Sequence, residues 1–393
     1  MKNKLVKAIS TTLAVTAAGA QAGDTTVVEI APPVAENSGC WCDDLIALGD
    51  PIYKNSEGGL IQEIDFFGRF QYQYGYSDVD TAAGDYSGGG DEIRRMRAGL
   101  SVKFLNGFKA VGRANIQDGG FRNHEAFQYG GMDELYLNYG LGSVAGFEDV
   151  TVGYGRYKVL FGGEEAMSSK KIKTIERSNL NNILGGKRAT GALLGATRGG
   201  YDLAFGVFSS NNSDQDFADW DGDNFYFASA GRDLDDNSSL RADLIIGDAD
   251  TASIFKADWA GSLTYQTEAG IFDVMTNVTY VDQGADDIYG IVIMPSYEII
   301  EDQLEAVFRY QWAESTGNTL QASKRNIRNV AANEDPAGYL PRGDNNQTFY
   351  AGLNYFICDH HAKVMLGAEY ETLDGGDGDL EATTLWAAFR AYF

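Results

Sequence analysis

The chain has 393 residues and carries 31 Lys+Arg against 56 Asp+Glu, a formal charge of −25. That balance argues against nucleic acid or an anionic lipid surface as partner, because phosphate backbones and acidic headgroups recruit basic faces. Aromatic residues make up 12%, and 48 Gly stand against 6 Pro, a mix that favours strands with tight turns over helices.

The N-terminus reads as an export signal. Lys2, Lys4 and Lys7 form a positive n-region, Leu13 to Ala20 a short apolar core, and Ala20-Gln21-Ala22 a cleavage site. Residues 1–22 are therefore expected to be removed, leaving 28 bases against 56 acids and a charge of −28. No later stretch reaches about 18 consecutive apolar residues, the length of a membrane helix. An exported chain of this kind is periplasmic, secreted or a β-barrel. Residues 23–60 do not alternate, and Ala31-Pro32-Pro33 and Ser56-Glu57-Gly58-Gly59 look like linker. They are expected to form a periplasmic extension or to fold into a lumen.

From residue 61 to the end, segments of about ten residues alternate between an apolar and a polar face. Ile64, Phe66, Phe70, Tyr72 and Tyr74 oppose Asp65, Arg69, Gln71 and Gln73. Met96, Ala98, Leu100 and Val102 oppose Arg95, Arg97, Ser101 and Lys103, and the next segment opposes Ala110, Gly112 and Ala114 to Lys109, Arg113 and Asn115. Leu135, Leu137 and Tyr139 oppose Glu134, Tyr136 and Asn138. Phe308, Tyr310 and Trp312 oppose Arg309 and Gln311, and Val364, Leu366 and Ala368 oppose Lys363 and Glu369. The last segment sets Leu385, Ala387, Phe389, Ala391 and Phe393 against Trp386, Ala388, Arg390 and Tyr392. A soluble sandwich would need apolar residues on its inner face. A polar face that repeatedly holds Arg and Lys fits a wet lumen. A terminal Phe on an amphipathic last strand also resembles the end of bacterial outer-membrane barrels. The expected fold is all-β: a transmembrane antiparallel β-barrel over residues 61–393, with about sixteen strands.

The links support it. Ser77–Asp91, Asp118–Gly131, Phe161–Arg188, Ser209–Asp223 and Ser315–Asn345 are long, and Gln283–Asp287 and Asp374–Asp379 moderate. Leu105–Gly107, Gly142–Glu148, Arg198–Gly200, Gln266–Glu268, Glu301-Asp302 and Asp359-His360 are short. Short periplasmic turns and long outer loops are the barrel pattern. Residues 190–200 and 240–260 give weak strand signals.

Bases cluster in two islands that together hold fourteen of the 28 in the mature chain. Arg94, Arg95, Arg97, Lys103, Lys109 and Arg113 occur with no acid between Ile93 and Arg113, and parity puts all except Arg94 on the lumen face. Arg156, Lys158, Lys170, Lys171, Lys173, Arg177, Lys187 and Arg188 surround the third outer loop, which is expected to fold inward as a constriction. Rings of Arg and Lys in a pore attract anions and replace part of their hydration. The pore-lining set expected from these patterns is Arg69, Arg95, Arg97, Lys103, Arg113, Lys170, Lys171, Lys173, Arg177, Arg309 and Arg390.

Glu92-Ile-Arg-Arg-Met-Arg-Ala-Gly-Leu resembles the Arg-rich second strand of the phosphate-selective porin O/P family. Val152-Gly-Tyr-Gly-Arg-Tyr-Lys-Val-Leu-Phe-Gly-Gly-Glu-Glu, with Ser168-Ser-Lys-Lys and Ile175-Glu-Arg-Ser178, resembles that family's central motif, and Leu353-Asn-Tyr-Phe another of its segments. The resemblance covers residues 64–393. It implies a sixteen-stranded homotrimeric porin in outer-membrane lipid, passing small hydrophilic solutes or anions such as phosphate along an arginine ladder. On it, Arg94, Arg95 and Arg97 match the basic strand, and Lys170, Lys171 and Arg177 the loop motif. The acidic net charge leaves a general or cation-preferring porin open.

Asp214, Asp216, Asp219, Asp221 and Asp223, then Asp374, Asp377 and Asp379, make acidic outer loops that could take Ca²⁺; no other cofactor is expected. His124, His360 and His361 are the only histidines, and no G-x-S-x-G occurs, so an outer-membrane enzyme is a weaker reading, as is an adhesin or structural barrel. Cys40 and Cys42 precede the first strand, and Cys358 falls in a periplasmic turn. A bridge from Cys358 to one of them would tether the extension to the barrel base. The alternative is a buried free thiol at Cys358.

Overall fold

The structure is a computed structural model. It describes residues 41–55, 58–82, 84–116, 127–210, 223–248, 254–334, 340–376 and 378–393. The export signal, Cys40, His124, Asp214, Asp216, Asp219, Asp221 and Asp377 lie outside the described residues.

A short helix α1 (Trp41–Ala47) and a short strand β1 (Pro51–Lys54) come first, so the segment before the barrel is not all linker: β1 pairs with the foot of β2. Sixteen strands then close a ring. They are β2 (Ile61–Thr81), β3 (Gly84–Phe104), β4 (Phe108–Asn115), β5 (Gly131–Val144), β6 (Phe147–Lys158), β7 (Arg188–Arg198), β8 (Tyr201–Ser209), β9 (Asn224–Asp235), β10 (Ser238–Ile246), β11 (Trp259–Ala269), β12 (Phe272–Asp282), β13 (Asp287–Ile300), β14 (Leu304–Ser315), β17 (Asn345–Phe356), β18 (Ala362–Asp374) and β19 (Leu380–Tyr392). A two-stranded hairpin, β15 (Leu320–Gln321) and β16 (Arg342–Gly343), sits in the link after β14. Each strand pairs antiparallel with its neighbour, and β19 pairs with β2 from Leu380↔Thr81 to Tyr392↔Arg69. Closure joins the first and last strands of the ring, so the backbone of the wall is hydrogen-bonded between neighbouring strands, as a lipid environment demands.

Two links differ from the sequence expectation. Ser77–Asp91 is not a loop: β2 and β3 are 21 residues each and pair from Thr81↔Gly84 downward, so β3 extends beyond its pairing with β4, while β2 is paired with β19 as far as Thr81. Its alternating Tyr74, Tyr76, Asp78 and Asp80 continue the strand period that a loop assignment interrupted. Between Ser209 and Asp282 the chain makes an additional turn at 236–237 and an additional outer link at 247–258, and the turn expected at Gln266–Glu268 lies at 270–271. The extra strands there, β9 and β10, carry Ala and Ser on their faces and so show little amphipathic contrast. The remaining tight turns use residues with positive φ, as twisted hairpins require: Leu105 and Asn106 (both φ 50°), and Gly199 (58°) with Gly200 (80°).

The outward face carries the apolar side chains, among them Phe66, Leu100, Leu137, Leu194, Leu263, Val278, Phe308, Leu353, Leu366 and Leu385, all exposed. Aromatic pairs band it at both ends. Trp259–Tyr280 (4.8 Å), Tyr289–Trp312 (5.8 Å) and Tyr310–Phe349 (4.9 Å) lie toward the long links, and Phe66–Phe393 (5.4 Å), Phe108–Tyr139 (4.5 Å) and Phe272–Tyr297 (5.1 Å) toward the short turns. An apolar belt between aromatic girdles is the lipid-facing signature of an outer-membrane barrel. Among the described residues, no helix is long and apolar enough to cross a membrane.

Cys42 and Cys358 form a disulfide across 316 positions. It fastens α1 to the turn between β17 and β18. The chain after α1 then passes beside the C-terminus, where a Cβ on Gly49 would stand 3.2 Å from the Phe393 carbonyl carbon.

Candidate functional site: the barrel interior

Most of the wall's inward residues are polar, but the barrel is not evenly open. Residues 159–187, between β6 and β7, are bonded to the opposite wall. Helix α2 (Gly163–Ala166) begins this contact: a Cβ on Gly163 would lie 2.6 Å from Thr264 Cγ2 on β11, so only Gly lets the segment approach so closely. Lumen side chains then hold the backbone carbonyl by carbonyl. Lys363 donates to the Ile172 carbonyl (2.6 Å), Asn354 to that of Lys173 (2.9 Å), Arg390 to that of Ile175, Arg309 to that of Glu176 (2.7 Å) and Gln71 to that of Ser169 (2.8 Å). Helix α3 (Asn179–Leu184), capped by the Ser178 hydroxyl accepting from the Asn181 amide, ends the crossing, where the Leu180 amide meets Gln311 (2.8 Å).

Carboxylates complete the clamp. Arg309, 2% exposed, pairs with Glu369 at 2.6 Å and Glu164 at 3.3 Å, and Glu164 also accepts from the Ser178 amide. Lys173 bridges Asp273 (2.8 Å) and Glu305 (2.9 Å). Burial alone would raise the Glu165 carboxyl, but Lys158, Arg177 and Arg188 together draw it down to about 2. Burial would likewise raise Glu176, and Arg94 at 2.6 Å outweighs it, holding that carboxyl far below its usual range.

The sequence foresaw none of the second inward segment. A π-helical turn, Lys324–Arg328, and helix α4 (Asn329–Glu334) follow β15 and bury Ile327, Val330 and Ala331. Val330 packs in one small cluster with Ile175 of the first segment and Tyr350, Met365, Trp386 and Ala388 of the wall. Asn326 donates to Thr384 (2.7 Å), and Arg325 pairs with Glu92 (2.9 Å). The signal available was Lys324-Arg-Asn-Ile-Arg-Asn-Val-Ala-Ala, three bases and an apolar i, i+3 pair in an otherwise acidic loop.

What stays open is a cavity of about 590 Å³ against β2–β10. Twelve Arg or Lys and five Asp or Glu line it, including Arg69, Arg94, Arg95, Arg97, Arg113, Lys158, Arg177, Arg188, Arg325 and Arg328. Behind this lining, buried Asp133 holds Arg97 (3.0 Å), Arg113 (2.6 Å) and Arg188 (2.9 Å) in place. Arg94 corrects the parity reading. The register shifts between Gln71 and Tyr72, so Gln71 faces Arg95 and Tyr72 faces Ile93. Arg94 is the extra residue of a β-bulge, which turns it inward onto Glu176.

The expected pore-lining residues therefore separate. Arg69, Arg95, Arg97, Arg113 and Arg177 border the cavity. Lys173, on the inward segment itself, is taken up by Asp273 and Glu305 of the wall, and Arg309 and Arg390 lie beneath that segment, where its carbonyls accept from them. Lys103, with 44% of its side chain exposed, pairs with Glu63 near the short turns. Lys170 reaches the chain end, donating to the Phe393 carbonyl (3.4 Å) over the Tyr392 ring, and burial lowers its ammonium to about 8. Lys171, half-buried, is not among the cavity residues. No group of three His, Cys, Asp or Glu side chains converges as metal ligands would among the described residues.

Residues 66–235 match the family model of the phosphate-selective porins O and P. No curated protein matches the sequence. Three solved structures share the fold: the outer-membrane channel DcaP of Acinetobacter baumannii (TM-score 0.56, 13% identity, 87% of this chain and 99% of that one); the anion-selective porin of Comamonas acidovorans (0.56, 13%, 84% and 99%); and OmpT, an outer membrane protein of Vibrio cholerae (0.53, 11%, 84% and 97%).

Proposed function

We propose that this chain, which over residues 66–235 belongs to the phosphate-selective porin O and P family, is an outer-membrane porin that lets small hydrophilic anions diffuse passively through the cavity along β2–β10. The family and the barrel point to a channel rather than to an enzyme. The observation that carries the anion preference is the lining: twelve bases against five acids, inside a protein of net charge −25. A narrow, low-dielectric passage strengthens each of those charges, whereas the acids of the outer links are screened by salt. Phosphate is within this solute class, and assembly as a homotrimer is part of the proposal.

Reversal potentials in a KCl gradient test it. The sign should report chloride moving more readily than potassium. A potassium-selective sign would mean that the acidic ends dominate, and would favour the cation-preferring reading. Unboiled protein should also migrate differently from boiled protein on a denaturing gel, at a mass set by three copies.

A further inference from the structure

We infer that the open cavity favours organic anions that carry an apolar body, with aromatic carboxylates as the type, over inorganic phosphate. This rests on the anion-porin reading above and adds the class of solute. The lumen of a porin is ordinarily polar around its whole circumference, and this one is not. On one side, Arg69 donates to the Ser169 hydroxyl and Arg95 to the Gln71 side-chain carbonyl (2.8 Å), and neither has an ion pair among the described residues. Both guanidiniums thus take neutral partners in place of a directly paired carboxylate. On the other side, beside Asn138, Ser229 and Arg241, the wall includes an apolar stretch. Tyr136 and Tyr157 stack with centroids 4.6 Å apart, and Leu160, Leu193 and Phe227 continue the surface.

The two sides adjoin at the β4–β5 pair. Arg113 faces Glu134, and Tyr136 follows two residues along the same face of β5. Part of the apolar wall has a packing role, since Phe208 and Phe225 stack at 5.3 Å and Phe225 meets Phe255 of the link after β10 at 4.7 Å. Leu160 is half-buried and borders the cavity outside that cluster, and Tyr136 and Leu193, which pack against the cluster on one side, are also only half-buried and border the cavity on the other. A hydrated inorganic anion gains nothing from such a wall. An aromatic carboxylate can set its head on the guanidiniums and its ring on the apolar side, the usual division in a small-molecule site.

The test is competition with chloride current through the whole protein in a planar bilayer, using sodium benzoate, sodium acetate and sodium phosphate as probes. Benzoate should halve the current at a concentration about tenfold below that of acetate or phosphate, the factor a partly buried ring supplies. In Leu160→Asn and Leu193→Asn, the ratio of benzoate to acetate potency should fall toward one. The inference is overturned if benzoate is no more potent than acetate in the unsubstituted channel, or if the gap survives in both variants. Should a variant not assemble, the unsubstituted comparison decides alone. Failure of the underlying anion reading is separate, because it shows as a potassium-selective reversal potential in KCl before any organic anion is added.

Discussion

The two halves of the barrel interior use the same residue types for opposite ends. Along β2–β10, arginines border open space: Arg95 and Arg97 are half-buried, and Arg97 shares Asp133 with Arg113 and Arg188. Along β11–β14 and β17–β19, Arg309, Lys363 and Arg390 are at most 2% exposed and hold down the chain that crosses the barrel. A lumen-facing base thus borders the open cavity only where nothing covers it. The filled half is a structural scaffold that narrows the barrel and positions Arg177 and Arg325 for the open half. It is also the half braced from below, since the disulfide ends in the β17–β18 turn.

The largest expected effect comes from undoing that brace. The bridge closes a loop of more than 300 residues, and chain entropy gives it up to about 5 kcal/mol. Cys42→Ser with Cys358→Ser should therefore lower the unfolding temperature seen by gel mobility while leaving the KCl reversal potential where it was. Thiol counting on denatured, non-reduced protein should find one free thiol, Cys40; three would show that the bridge does not form.

Next is the clamp. Arg309→Met leaves Glu164 and Glu369 buried without their cation, a loss of about 3–5 kcal/mol for a broken buried pair. In the fraction that folds, the crossing segment should loosen and single-channel conductance should rise. An unchanged conductance and stability would mean the segment is held well enough by its carbonyl contacts. Arg325→Gln removes one ion pair to Glu92 and one lining charge, so chloride preference should fall modestly with little change in stability. A drop in stability as large as that of Arg309→Met would make Arg325 a clamp residue instead.

The smallest effect is a pH step. Burial lowers the Lys170 ammonium to about 8, with Arg69 and Arg113 adding to the shift. Above that pH the group is neutral, so raising pH from 7 to 9 removes one positive charge near Arg69 and should weaken anion preference slightly. In Lys170→Gln this contribution to the step should disappear. A step of the same size in the variant would assign it to other groups.

Much of the fold was legible because alternation with period two and turn chemistry are local. Phe393, the β14 and β18 faces and the Arg-rich face of β3 needed no long-range knowledge. Strands β9 and β10 were illegible for the opposite reason: Ala and Ser on their faces give little contrast in a wall whose pairing is set by neighbours. Alternation along β2 ran on to Thr81 and resumed at Gly84, so length was misread as a loop. The site was legible in residue type but not in accessibility. Parity says which face Arg309 and Arg95 occupy; only the path of residues 159–187 says that one is covered. Arg94 needed the bulge, a feature of the pairing of two strands rather than of either sequence.

The distinction between covered and open lumen bases is tested most directly by the reversal potential of the double variant Arg95→Gln/Arg97→Gln in a KCl gradient, read beside the unsubstituted channel. The potential should move clearly toward that of potassium, because both side chains border the passage. A potential identical to that of the unsubstituted channel would place Arg95 and Arg97 outside the path of the ions and contradict the assignment of the open half as the pore.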